Sequence, residues 1–209
     1  MSLELLIGPM FAGKSSAIQS IIRRHQALGW NVFVVTHSID TRYTSEPAIV
    51  NHDKVMMPAH ATNTLMSLIT HPDYVNSRLV VIEEAQFFPD LVPFVLQTTD
   101  KSEKHVVVVG LDGDAERKPF GHVLELVPYC DRVTKLTAMC KTCKDGTPAI
   151  FTFAARDDAA AAANDGRPCV GADEKYVPLC RKHFNSAREP PAPVVTSPSL
   201  EHALMVHAC

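Results

Sequence analysis

Residues Gly8-Pro9-Met10-Phe11-Ala12-Gly13-Lys14-Ser15 satisfy the spacing G-x-x-x-x-G-K-[ST]. Its glycines let backbone N–H groups close in on phosphate oxygens, and a helix starting at the lysine adds the positive end of its dipole. Lys14 has the reach for β- and γ-phosphates, and the Ser15 hydroxyl is a ligand for Mg²⁺. The chemistry indicated is binding of a nucleoside triphosphate. A second group follows the apolar run Val80-Val81-Ile82, which ends in Glu83-Glu84-Ala85-Gln86-Phe87-Phe88. Strand ends in such proteins open onto the bound phosphates. Neighbouring strand residues face opposite sides, so Glu83 and Glu84 should not share one task. One can assist the metal, and the other can take a proton from an acceptor hydroxyl.

The third group is Cys140-x-x-Cys143 and Cys180-x-x-His183. Two pairs, each separated by two residues, can supply the four tetrahedral ligands of Zn²⁺. All four places are filled by protein, so the ion is structural rather than catalytic. The 36 residues between the arms exceed the usual finger spacing, so this insert must fold back on itself. Cys130, Cys169 and Cys209 fall outside the pattern and are expected to be free. Asp40-Thr41-Arg42-Tyr43 follows the second strand; Arg42 could stabilise charge on a transferring phosphoryl group, or the tetrad could be a surface turn.

These groups need elements to hold them. Leu3–Ile7 reads as a strand, Lys14–Leu28 as a helix ending near Gly29, and Asn31–Thr36 as a second strand. Ala61–Thr70 has helical spacing and stops before Pro72. Arg78–Ile82 is a third strand, Asp90–Thr98 a helix and His105–Leu111 a fourth strand. Val123–Tyr129 fits a short helix and Arg132–Leu136 a last strand; residues 41–60 fit a loop or a hairpin. Continuous apolar strands such as Val106–Val109 indicate burial on both faces, as in a parallel sheet. The alternation predicts an α/β fold, a doubly wound, mostly parallel sheet of the P-loop NTPase type. A small zinc-binding domain follows it. The expected divisions are a P-loop nucleotide-binding domain over 1–136, a zinc-binding domain over 137–184, and a proline-rich, flexible tail over 185–209. The alanine run 159–163 is read as part of a mobile loop.

Composition sets bounds. The 209 residues carry a net charge of −3, with 46 % apolar and 21 % charged residues, enough to bury a core. A nucleic-acid partner would usually show as a basic surface, so none is expected. No run approaches the roughly 20 apolar residues of a membrane span, and no secretory signal is visible. The six cysteines then suit a reducing, cytoplasmic setting, where metal binding outweighs disulfides.

Taken together, these motifs resemble the type II, zinc-containing thymidine kinases. The matching runs are Gly8–Ser15, Asp40-Thr41-Arg42-Tyr43 and Glu84-x-Gln86-Phe87-Phe88-Pro89-Asp90. Leu111-Asp112-Gly113, Arg117-Lys118-Pro119-Phe120-Gly121 and Lys135-Leu136-Thr137-Ala138-x-Cys140 follow, then Gly171 and Lys175-Tyr176-x-x-x-Cys180. The resemblance is colinear over residues 1 to about 184. It implies transfer of the γ-phosphate of ATP, with Mg²⁺, to the 5′-hydroxyl of thymidine or deoxyuridine. Glu84 would be the general base and Arg42 would support the phosphoryl region. Gly8–Ser15, Asp40, Arg42, Glu83 and Gln86 would hold ATP, with Ser15 and Glu83 on the Mg²⁺ side.

The lasso, about Ile150–Gly171, would close over the base, with backbone from Arg167 through Cys169 and Val170 to Gly171 on the pyrimidine edge. Met10, Phe87, Leu111 and Tyr176 would form the wall around the thymine methyl. Backbone amides match a pyrimidine's fixed donor–acceptor edge, whereas cytosine's 4-amino group would leave polar groups mismatched. The resemblance further implies a homotetramer and feedback inhibition by thymidine triphosphate (dTTP). Four departures stand out. Glu83 occupies a place usually held by Asp, Ala115 one usually held by Phe and His183 one usually held by Cys, while the tail matches no motif. A competing class, a zinc-containing nucleotide switch or nucleic-acid ATPase, should carry N-K-x-D or a basic aromatic stripe. The chain shows neither; its insert carries Asp157, Asp158, Asp165, Asp173 and Glu174.

Overall fold

The computed structural model describes residues 1–39, 48–50, 56–154 and 175–188. A six-stranded, wholly parallel sheet lies at its centre. Its strands are β1 (Ser2–Ile7), β2 (Val32–His37), β5 (His60–Thr62), β6 (Leu79–Ile82), β7 (His105–Gly110) and β8 (Arg132–Lys135), in the order β5-β2-β6-β7-β1-β8. Register runs Leu3↔Val106 to Ile7↔Gly110 between β1 and β7, and Leu79↔His105 to Ile82↔Val108 between β6 and β7. A short antiparallel hairpin, β3 (Ala48–Val50) with β4 (Met56–Pro58), branches off after β2.

Side-chain alternation divides the strands between two cores. Leu3, Leu5, Ile7, Val80, Ile82, Val106 and Val108 face α3 (Leu91–Leu96) and the 3₁₀ segment Val123–Tyr129. Leu6, Val34, Val81, Val107 and Val109 face Ile18 and Ile22 of α1 (Lys14–Gln26). Both isoleucines are fully buried, so truncating either to Ala should cost about 2–5 kcal/mol. Arg23, Arg24 and His25 in the last turn of α1 suit the negative end of its dipole.

A third, separate core holds the cysteine region. β9 (Ala138–Met139) pairs with β10 (Pro148–Ala149), and β11 (Phe151–Ala154) pairs with β12 (Tyr176–Leu179), both antiparallel. Helix α4 (Arg181–Arg188) closes it. Phe184 is fully buried, with ring contacts to Phe151 and Phe153 at 4.9 and 5.7 Å. Phe11 and Ala12 of the glycine-rich loop lean on this same core.

Two sequence-based expectations need correction. Ala61–Thr70 is not a helix: β5 takes its first residues, and only Met66–Leu68 make a 3₁₀ turn. Thr62 and Thr64 exchange local side-chain and backbone hydrogen bonds, which compete with helical pairing. Pro72 begins α2 (Pro72–Asn76) instead of ending a helix, because proline suits the first helical position. Asn185, where the tail was expected to begin, lies inside α4, which continues to Arg188. Expectations for Asp40–Tyr43, the alanine run, Arg167–Gly171, Cys209 and the proline-rich tail lie outside the described residues.

Candidate active site

The loop between β1 and α1 sits at the carboxyl edge of the sheet, where the ends of β6 and β7 converge on it. Gly13 caps α1, and its carbonyl accepts the Ala17 N–H at 3.0 Å. The Lys14 ammonium donates to the carbonyls of Gly8 and Pro9 at 3.1 and 2.8 Å. The Met10 N–H donates to Thr152 Oγ1 at 3.0 Å, tying the loop to β11 across 142 positions of sequence. Nothing in the sequence pattern marked Thr152.

Ser15 Oγ donates to Glu83 Oε1 at 2.8 Å. Glu83 is 6 % exposed, so a buried carboxylate and a loop hydroxyl lie side by side. That oxygen pair fits a hard cation such as Mg²⁺. Glu84, one residue on, leaves the strand in the left-handed region at φ 52°, ψ 39°. A non-glycine residue there carries a strain of about 1–3 kcal/mol, and the turn breaks the strand so that the two carboxyls part company. Glu84 Oε2 accepts from Gln86 Nε2 at 2.5 Å. The Gln86 Oε1 in turn accepts the Leu111 N–H at 3.1 Å. Gln86 is buried and clamps Glu84 to the end of β7.

Aromatic rings flank this acid. Phe87 meets His37 at 5.7 Å and the buried Phe120 edge-on at 5.5 Å. Burial holds the His37 imidazole below its ordinary value, partly offset by the Glu84 carboxylate. Met10 is half-buried, while Leu111 and Tyr176 are buried, from three different elements. Beyond β7, Asp112 pairs with Lys135 at 2.5 Å. Both line a cleft of about 210 Å³ with Pro9, Asp114, Phe151 and Thr152. Ala115 lies half-buried in the turn just past that pair.

The four expected zinc ligands do gather. His183 Nδ1 lies 3.6, 3.2 and 3.3 Å from the sulfurs of Cys140, Cys143 and Cys180, and Cys143 Sγ is 3.8 Å from Cys180 Sγ. Burial alone would push the Cys140 thiol up. Backbone hydrogen bonds and His183 outweigh it and hold Cys140 down at about 6; the Cys180 N–H is one donor, at 3.3 Å. A thiolate stabilised in this way suits Zn²⁺, and the three-sulfur, one-nitrogen set matches its preference. Cys130, in contrast, is pushed up to about 11 by burial and Asp131, an inert thiol.

The thymidine kinase family model matches residues 1–184. "Thymidine kinase a" of Arabidopsis thaliana is 37 % identical over 189 residues, covering 88 % of this chain and 74 % of the relative. "Thymidine kinase, cytosolic" of Homo sapiens is 35 % identical, covering 91 % and 76 %. "Thymidine kinase" of Yaba monkey tumor virus (strain VR587) is 33 % identical, covering 86 % and 92 %. A match running from the triphosphate loop through the last ligand of the Cys₃His cluster leaves one assignment: the chain belongs to the thymidine kinase family.

Proposed function

We propose that this chain transfers the γ-phosphate of ATP to the 5′-hydroxyl of thymidine, and of deoxyuridine, giving the nucleoside monophosphate for salvage into DNA precursors. The observation that carries the reading is the divergence of Glu83 and Glu84. Glu83 is tied to Ser15 at the triphosphate loop, while Glu84 is turned away and clamped by Gln86. Glu84 takes the 5′-hydroxyl proton as that oxygen attacks the γ-phosphorus, and the bond to the β-phosphate breaks to release ADP. Lys14 exchanges its loop carbonyls for β- and γ-oxygens. Ser15 and Glu83 would hold Mg²⁺, whose charge would offset that of the phosphates. Arg42 steadies the transferring group and Asp40 flanks it. Gln86 acts as a positioning residue for Glu84.

Met10, Phe87, Leu111 and Tyr176 wall the thymine, and backbone from Arg167 to Gly171, including Cys169 and Val170, reads its edge. In this reading 1–136 is the phosphate-handling domain, and 137–184 is the substrate-closing domain held together by zinc at Cys140, Cys143, Cys180 and His183. Assembly as a homotetramer and inhibition by dTTP belong to the same proposal, as does a cytosolic setting, which the named cytosolic relative supports.

The test is single-turnover phosphorylation of labelled thymidine by the Glu84→Gln protein. The rate should fall about 10²–10⁴-fold with thymidine affinity little changed. An unchanged rate refutes the assignment. Thymidine-independent ATP hydrolysis surviving the substitution would favour a nucleotide switch.

A further inference from the structure

Away from both sites, His60, His71 and Asp73 converge at the open edge of the sheet. β5 carries His60, and His71 caps α2, whose first turn holds Asp73. One donor atom from each lies within 4.8 Å of the other two. His60 Nε2 stands 3.3 Å from Asp73 Oδ2, and His71 Nδ1 stands 3.8 Å from the same oxygen. Ligands held about 2.0–2.2 Å from a tetrahedral ion sit about 3.4 Å apart, so the two His–Asp spacings need only sub-ångström adjustment.

The two imidazoles are not free to drift. Their rings meet edge to face at 4.7 Å. Each also lies against Phe33, at 4.6 Å for His60 and 5.8 Å for His71, and Phe33 itself is 1 % exposed. Two imidazoles and a carboxylate favour a borderline transition ion over Mg²⁺ or Ca²⁺, which prefer oxygen. We propose that His60, His71 and Asp73 form a second metal site, taking a Zn²⁺-class divalent ion whose remaining coordination is completed by water. His71 Nδ1 accepts the Asp73 N–H at 3.2 Å; on binding, that lone pair passes to the ion and the cap contact is given up. The ion then bridges the sheet edge to α2.

The test uses the full chain with its cysteine-bound zinc in place. Wild type, His60→Gln and Asp73→Asn are equilibrated with Zn²⁺ alone, and bound metal is counted by elemental analysis. Wild type should hold one zinc per chain more than either variant. Calorimetric Zn²⁺ affinity for the extra site should drop by more than about tenfold on either substitution. Added Zn²⁺ should raise the melting temperature of wild type only. Equal metal content in all three proteins overturns the proposal and leaves a His–Asp contact only. Should His60→Gln fail to fold, Asp73→Asn decides, since that carboxylate side chain is 65 % exposed.

Discussion

Gly121→Ala tests the geometry around the proposed base without touching it. Gly121 has φ 57°, and a Cβ there would stand 2.2 Å from the Gln86 carbonyl oxygen and 2.9 Å from its carbon. Ordinary contact begins near 3.4 Å, so the Gln86 backbone must retreat by about 1.2 Å. The left-handed conformation costs alanine about 1–2 kcal/mol, and the forced shift adds about 1–3 kcal/mol of overpacking strain. Gln86 carries the side chain that clamps Glu84 and caps the Leu111 N–H. A displacement of that size at a catalytic group can cost about 10²-fold in rate. Gly29→Ala is the control: its φ is 76°, yet nothing lies within 4 Å of its Cβ. Urea unfolding should give a loss of about 2–5 kcal/mol for Gly121→Ala and about 1–2 kcal/mol for Gly29→Ala. Thymidine phosphorylation per folded molecule should fall for the first alone. If Gly121→Ala unfolds like Gly29→Ala and keeps its turnover, the clamp reasoning is wrong.

Three further outcomes are expected. Chelation of the Cys₃His zinc should abolish thymidine binding in calorimetry while ATP binding persists, because the two ligand pairs bracket the interval proposed to close over the base; intact thymidine binding after confirmed metal loss refutes this. Thr152→Val removes the acceptor of the Met10 N–H, which should lower stability by about 1–3 kcal/mol and raise the KM for ATP; an unchanged melting temperature and KM would show that the tie between β11 and the loop is idle. Burial pushes His37 and His105 below 6.5, helped at His105 by the N-terminus, Arg78 and His25 and opposed at His37 by Glu84. The unfolded chain therefore binds more protons just below pH 6.5, so stability is intact above that value and lost as pH falls through it. Urea midpoints across this window should show the slope, and His105→Gln should flatten it.

Much of this arrangement was legible in residue order. The β1 loop and α1 follow from a glycine-lysine pattern between an apolar run and a helical one, and both were found where expected. Val106–Val109 announced a strand covered on both faces, and the two cores bear that out. The gathering of Cys140, Cys143, Cys180 and His183 was readable because metal chemistry fixes such types and spacing more tightly than packing does. The stretch 61–70 misled because Leu65, Met66, Leu68 and Ile69 carry helical spacing. Only Leu65 is fully buried, and its threonine neighbours favour local turns. The turn at Glu84 was invisible too: Gln86, which clamps that acid, is itself held by the Leu111 N–H, a donor 25 positions away. Thr152 and the histidine cluster were missed for the same reason, since each depends on tertiary approach and not on a local pattern.

β11 and β12 are hydrogen-bonded neighbours up to the pair Ala154↔Tyr176, so the twenty residues between 154 and 175 depart and return one strand spacing apart. The ends are thus fixed by the scaffold, whatever chain joins them. Doubling such a connection adds only about 0.6 kcal/mol of closure entropy. Its length could be changed by an engineer, as a cassette, without moving the two strands that anchor it.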